Sequence, residues 1–162
     1  MKRGWLFAAA SLVILFALVD QVIKTIVVST MDYGEAIELL PFFALFHTRN
    51  TGIAFSFLSG LSDQVMVAFT FVVMIFICWL ALRTEEHQKL ARFGFVLIVS
   101  GALGNIIDRA SLGYVIDYFY FHTPVWSFAV FNLADVFITV GAMFVILQEI
   151  IDWRRAKREP NN

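Results

Sequence analysis

Four long apolar stretches set the pattern of the chain: Trp5 to Val28, Asp63 to Leu82, Phe93 to Arg109 and Phe131 to Ile151. Each suits the ~20 residues that a helix needs to cross a bilayer. The first follows Lys2 and Arg3 and superficially looks like a signal peptide. Ala8-Ala9-Ala10 comes too early for a cleavage site, so a retained helix is expected. Between the first two stretches, Asp32-Tyr33-Gly34-Glu35 reads as a turn. Ile37 to Leu40, Phe42 to Thr48 and Ile53 to Leu58 then read as short strands, separated by Pro41 and by Thr51-Gly52. Gly60 and Ser62-Asp63 predict a break before the second helix. Residues 83–92 form a short polar loop. Gly113 predicts the end of the third helix, and residues 114–130 form an aromatic-rich segment with Pro124 as a breaker.

Composition reinforces this picture. The 162 residues are 60% hydrophobic and 15% charged, against about 45–50% and about 25% in soluble domains. A net charge of -1 excludes a basic nucleic-acid binder. Cys78, the one cysteine, lies within an apolar run and reads as a packing residue. Nine of the twelve Lys and Arg residues fall in the N-terminus, the 83–92 loop and the C-terminal tail. By the positive-inside rule both termini are cytoplasmic, and the 29–62 and 109–130 segments face outward. The expected fold is a membrane α-helical one. Four transmembrane helices carry a small extracytoplasmic β-sheet at about 30–60 and an interfacial aromatic segment between helices 3 and 4, in a single domain over 1–162.

This topology brings unusual polarity to one level. Asp20, Asn50, Asn105, Asp108, Arg109, Asp117, Asn132 and Asp135 all fall near the outer leaflet, where polar groups beside spans are expensive. Asp20 lies ~22 Å along the first helix from Trp5. Lys24, one turn later, either closes a local ion pair with it and snorkels outward or helps to hold a site. Two neighbouring carboxylates can share one proton, so that one activates water while the other protonates a carbonyl oxygen. Asp117 and Asp135 are the candidates. Asp135 in the first turn of the fourth helix, with Asn132 near its N-cap, is expected to be the more readily ionised. The chain holds no GxSxG or HExxH motif, and Cys78 is placed mid-membrane. His47, His87 and His122 lack metal-ligand spacing, so neither metal nor cofactor is expected. A proton-coupled carrier and a non-catalytic scaffold are the alternative classes. Simple pairing of the acids with Arg109 is the structural alternative, strongest for Asp108.

At these residues the sequence resembles the bacterial lipoprotein signal peptidases (signal peptidase II). The matching segments, in order, are Asp20-Gln21-Val22-Ile23-Lys24, Asn50-Thr51-Gly52-Ile53-Ala54-Phe55, Gly101 to Arg109 (GALGNIIDR), Gly113 to Asp117 (GYVID) and Phe131 to Asp135 (FNLAD). The resemblance implies an aspartyl endopeptidase of the bacterial inner membrane with Asp117 and Asp135 as its dyad. Asp20, Lys24, Asn50, Gly52, Ala54, Gly101, Gly104, Asn105, Asp108, Arg109, Asn132 and Ala134 are then the supporting or substrate-binding residues. It further implies diacylglyceryl-modified prolipoprotein substrates cut just before the lipidated cysteine, contact with membrane lipids, and inhibition by globomycin-type peptides. The enzyme is expected to act as a monomer. Gly101, Gly104 and Ala134 are expected to leave room for substrate backbone, and the outer sheet and the 118–130 segment to cover the site.

Overall fold

In the computed structural model, residues 3–52 and 63–158 are described. Four apolar helices carry a small sheet at one end. In chain order the elements are α1 (Arg3–Thr30), β1 (Ala36–Leu40), β2 (Phe43–Asn50), α2 (Asp63–Arg83), α3 (Lys89–Leu112), β3 (Val115–Thr123), β4 (Trp126–Ser127) and α4 (Leu133–Arg158). Helices α1, α3 and α4 are long and apolar enough to cross a membrane, and the apolar part of α2, Ala68–Arg83, is shorter. The strand expected at Ile53 to Leu58 and the break at Gly60 lie outside the described residues.

Helix α3 is the spine, with α1, α2 and α4 packed around it. Its contact with α4 is made close by glycine. A Cβ on Gly94 would meet the Gly141 carbonyl oxygen at 2.6 Å, and one on Gly141 would meet the Gly94 carbonyl oxygen at 2.5 Å. Backbones approach this closely only where no side chain intervenes, which is how small residues hold helices together in lipid. Helix α3 ends at Gly113, whose φ of 80° lets the chain turn left-handed while its N–H returns to the Arg109 carbonyl.

The sheet is antiparallel, in the order β1-β2-β3-β4. The aromatic segment expected between the third and fourth helices thus joins the same sheet, with β3 supplying the neighbour of β2. Thr48 pairs with Asp117 and Asn50 with Val115, after a register irregularity between Leu45 and Thr48. The sheet docks on the end of α1 through a core of Val27, Met31, Ile116 and Tyr118. His47 is buried there, and its Nδ1 lies 3.0 Å from the Met31 carbonyl oxygen. At the opposite end of the bundle, Arg92 sits over the Trp5 ring, Arg83 over Trp79 and Lys157 over Trp153. Such amphipathic pairs suit a membrane–water boundary.

The Gly94–Gly141 contact generates a prediction. Gly141→Val should destabilise the bundle by at least ~1–3 kcal/mol, the usual cost of overpacking. Thermal unfolding in detergent should show a lower midpoint, whereas Gly4→Ala, with nothing near the added methyl, should leave it unchanged.

Candidate active site

The site is built around the start of α4. The first N–H groups of any helix have no intrahelical partner, and here each is met by a side chain. Asn132 is the N-cap: its Oδ1 accepts the Asp135 N–H at 3.0 Å, and the Asp135 carboxylate accepts the Asn132 N–H at 3.2 Å. This is a reciprocal capping box with aspartate in the place usually held by glutamate. The Leu133 N–H donates to the Tyr118 hydroxyl at 3.1 Å and the Ala134 N–H to Asp20 Oδ1 at 3.0 Å.

Asp20, Lys24 and Asp108 form a buried ionic cluster behind this turn, and none of them is more than 1% exposed. Lys24 Nζ lies 2.9 Å from Asp20 Oδ2, 2.8 Å from Asp108 Oδ2 and 3.1 Å from Asn105 Oδ1. The ammonium therefore has three oxygens within 3.1 Å. Of the two alternatives for Lys24, the local pair with Asp20 forms but the side chain turns inward, because two carboxylates and an amide inside the bundle bind the ammonium better than a distant interface does. Asp108 pairs with Lys24 and not with its neighbour Arg109. It also accepts from Gln21 Nε2 at 2.8 Å and from the Ile116 N–H at 3.1 Å, which ties strand β3 to α1 and α3.

Asn105 and Asn132 carry the network forward. Asn105 Nδ2 donates to Asp135 Oδ1 at 2.8 Å, while its Oδ1 accepts from Lys24 and from Asn132 Nδ2. Asn132 Nδ2 also donates to Asp117 Oδ1 at 2.6 Å. Asn50 Nδ2 holds Asp117 Oδ2 at 3.0 Å, and Asn50 is itself set by the Gly52 N–H, 2.8 Å from its Oδ1. Gly52 has φ 87°, the left-handed region that glycine adopts without strain. A bridge between Phe119 and Phe131 clamps β3 to the residues just before α4. Asp117 and Asp135, 18 positions apart in the chain, thereby share Asn132 as a common neighbour.

The two acids differ. Asp117 is buried and Asp135 half-buried. Burial, and then the charge of Asp135, push the Asp117 carboxyl up to about 6, against the opposing hydrogen bonds from Asn50 and Asn132. Burial likewise pushes the Tyr118 hydroxyl up, keeping it neutral. Asp135 opens on an apolar cavity of about 320 Å³ with Phe128, Phe131, Val136, Thr139 and Val140. Asn105 and Arg109 line another, of about 170 Å³, with Thr70 and Val73 of α2 and Ile138 of α4. Arg109 thus faces a groove and, among the described residues, forms no ion pair with the acids. No three His, Cys, Asp or Glu side chains among the described residues are grouped to hold a metal.

Some expected site residues have other roles. A Cβ on Gly104 would meet Asp20 Oδ2 at 2.5 Å, and one on Gly101 would collide with the Ala134 carbonyl oxygen. Ala134 is fully buried. Gly104 thus makes room for Asp20 and Gly101 for the start of α4. Ala54 lies outside the described residues. Gln21 and Tyr118 belong to the network but carry no marker as single residues. Helical adjacency to Asp20 and Lys24 could have flagged Gln21, whereas the Tyr118 hydroxyl was hidden among aromatics.

The ionic cluster predicts a large response to losing its cation. Lys24→Met strands two buried carboxylates and should cost ~3–5 kcal/mol. Adding Asp108→Asn, which removes one stranded charge, should restore part of the thermal midpoint. An unchanged midpoint in the single variant would contradict the pairing.

Comparison with known proteins bears on the whole arrangement. The model of the signal peptidase (SPase) II family matches residues 12–151. Lipoprotein signal peptidases of Brucella ovis and Brucella melitensis are each 51% identical over 157 residues, covering 97% of this chain and 98% of theirs. A bacterial membrane enzyme solved by the in meso method at 2.3 Å superposes with a TM-score of 0.82 at 27% identity, covering 96% of this chain and 94% of its own. A second, solved by the same method at 1.9 Å, gives 0.70 at 29% identity, with 86% and 90% covered. With a family match over most of its length and relatives half identical from end to end, the chain belongs to the signal peptidase II family of membrane peptidases.

Proposed function

We propose that this protein is an aspartyl endopeptidase of the bacterial inner membrane. It removes the signal peptide from diacylglyceryl-modified prolipoproteins by cutting just before the lipidated cysteine. The observation that carries this reading is the pair Asp117 and Asp135, delivered by a strand and a helix start to the two sides of one asparagine. The names of the relatives support the substrate class. The clustering of basic residues and tryptophans at the end away from the sheet supports cytoplasmic termini and an outward-facing site.

In the proposed reaction one proton is shared by the dyad. Asp117, raised to about 6 by burial and by Asp135, holds it. Asp135, in the first turn of α4, is the general base and takes a proton from water. The water oxygen attacks the scissile carbonyl as Asp117 donates its proton to the carbonyl oxygen. Collapse of the tetrahedral adduct breaks the C–N bond as one of its hydroxyls returns a proton to Asp117 and the proton gained by Asp135 passes to the leaving amine. Each aspartate oxygen has one donor from the protein, from Asn50, Asn105 or Asn132. Lone pairs therefore remain for water and substrate. The apolar cavities beside Asp135 and Arg109 suit a signal helix and acyl chains arriving from lipid. Globomycin-type peptides would occupy the same place.

Asp117→Asn and Asp135→Asn should each lower cleavage of a lipid-modified prolipoprotein by at least ~10²–10⁴-fold, read as loss of the mobility shift on a gel. Cleavage persisting in either variant would refute the dyad. The proton on Asp117 also fixes the pH response. Because kcat/KM needs that proton, it should fall as pH rises through about 6. Asn50→Ala removes a donor that favours the ionised form and should move this limb to higher pH. Stability has the same sign. The folded protein holds the Asp117 proton more tightly than the unfolded chain, so this contribution is complete below the ordinary carboxyl range and lost as pH rises through about 6.

A further inference from the structure

A second built feature lies at the opposite end of the bundle. Helices α1 and α2 each pack on α3 and leave an apolar cleft of about 240 Å³, with Ala9, Val13, Cys78, Phe95 and Val99 among its walls. Leu6, Ala10, Cys78 and Leu82 on its rim are exposed on the outer face of the helices, so it opens sideways to lipid. Its one charged lining residue is Arg92. The guanidinium is held over the Trp5 ring, 5.1 Å from its centre. Nη2 reaches the Thr84 carbonyl oxygen only at 3.5 Å. Nε is buried and, among the described residues, has no hydrogen-bond partner. A buried guanidinium N–H without an acceptor is costly, and the planar fork of arginine suits a phosphate. Arg83 and Lys89 lie at the neighbouring helix ends, in a loop that also carries Glu85 and Glu86.

We propose that this cleft binds an anionic glycerophospholipid, with one acyl chain lying between α1 and α2 and the phosphate accepting hydrogen bonds from Arg92. The site is separate from the dyad. Arg92 is in the first turn of α3 and Asn105 lies 13 residues further along, which is ~20 Å at the helical rise. A bound chain would fill the gap that α3 alone floors and join α1 to α2. The membrane lipid would thereby complete the bundle where protein packing stops.

The test uses the full-length protein in nanodiscs with Trp5 as the sole tryptophan, through Trp79→Phe, Trp126→Phe and Trp153→Phe. Brominated phosphatidylglycerol in a phosphatidylcholine background should quench Trp5 at a mole fraction about fivefold lower than brominated phosphatidylcholine does in the reverse mixture, the preference one specific cation supplies. Arg92→Gln should abolish the preference, and Ala10→Phe, which fills the cleft but keeps the guanidinium, should do the same. Arg83→Gln should retain it. Equal quenching by the two lipids in the unsubstituted cleft would overturn the proposal. So would an equal loss in Arg83→Gln and Arg92→Gln, which would mean a diffuse field, or an undiminished preference in Ala10→Phe. Should Arg92→Gln not fold, the lipid comparison and Ala10→Phe still decide.

Discussion

Everything at the sheet end of this molecule depends on how the first turn of α4 is satisfied. A helix that starts inside a protein within a membrane cannot leave its N–H groups to water. Here the acceptors come from α1 through Asp20, from β3 through Tyr118, and from the cap itself through Asn132 and Asp135. Moving any of these elements breaks a bond to the helix start. The position of Asp135 is therefore set by the same bonds that hold the fold together.

Behind that turn, the Asp20–Lys24–Asp108 cluster connects α1 and α3, and Asp108 extends it to β3. Buried charge is tolerable only when every donor and acceptor is met. Lys24 has one oxygen each of Asp20, Asp108 and Asn105 within 3.1 Å, and Asp108 also receives Gln21 and Ile116. Among the described residues, the cluster reaches the Asp135 carboxylate through Asn105. A neutral amide thus separates the structural charges from the acids proposed to share a proton. Fixed ions support the dyad without pairing with it directly.

The four helices, the stop at Gly113, the turn at residues 32–35 and the capping role of Asn132 were all legible in the sequence, because each rests on local chemistry. The direction of Lys24 was not. Snorkelling and inward pairing need the same residue at the same spacing, and only the positions of Asp108 and Asn105 choose between them. The partner of Asp108 was ambiguous for the same reason, since adjacency to Arg109 on a helix says nothing about which side faces the bundle. The glycines of α3 were legible as small positions beside the site. What approaches Gly101 and Gly104 is α4 and Asp20, a matter of packing that spacing cannot reveal. β3 read as an aromatic interface segment because its pairing with β2 joins residues about 70 positions apart.

By itself the sequence determined the membrane class, the order and approximate extent of the helices, and the level at which polar groups collect. Those properties follow from hydropathy, helix length and the distribution of basic residues, all of which are sums over neighbouring positions. Only the tertiary structure decided which polar groups meet. It turned Lys24 inward, gave Asp108 to β3, recruited Gln21 and Tyr118, and set Asn132 between Asp117 and Asp135. It also left an apolar cleft between α1 and α2 with Arg92 at its edge. A hydrogen bond depends on direction and on tenths of an ångström between groups far apart in the chain, and no local sum contains that information.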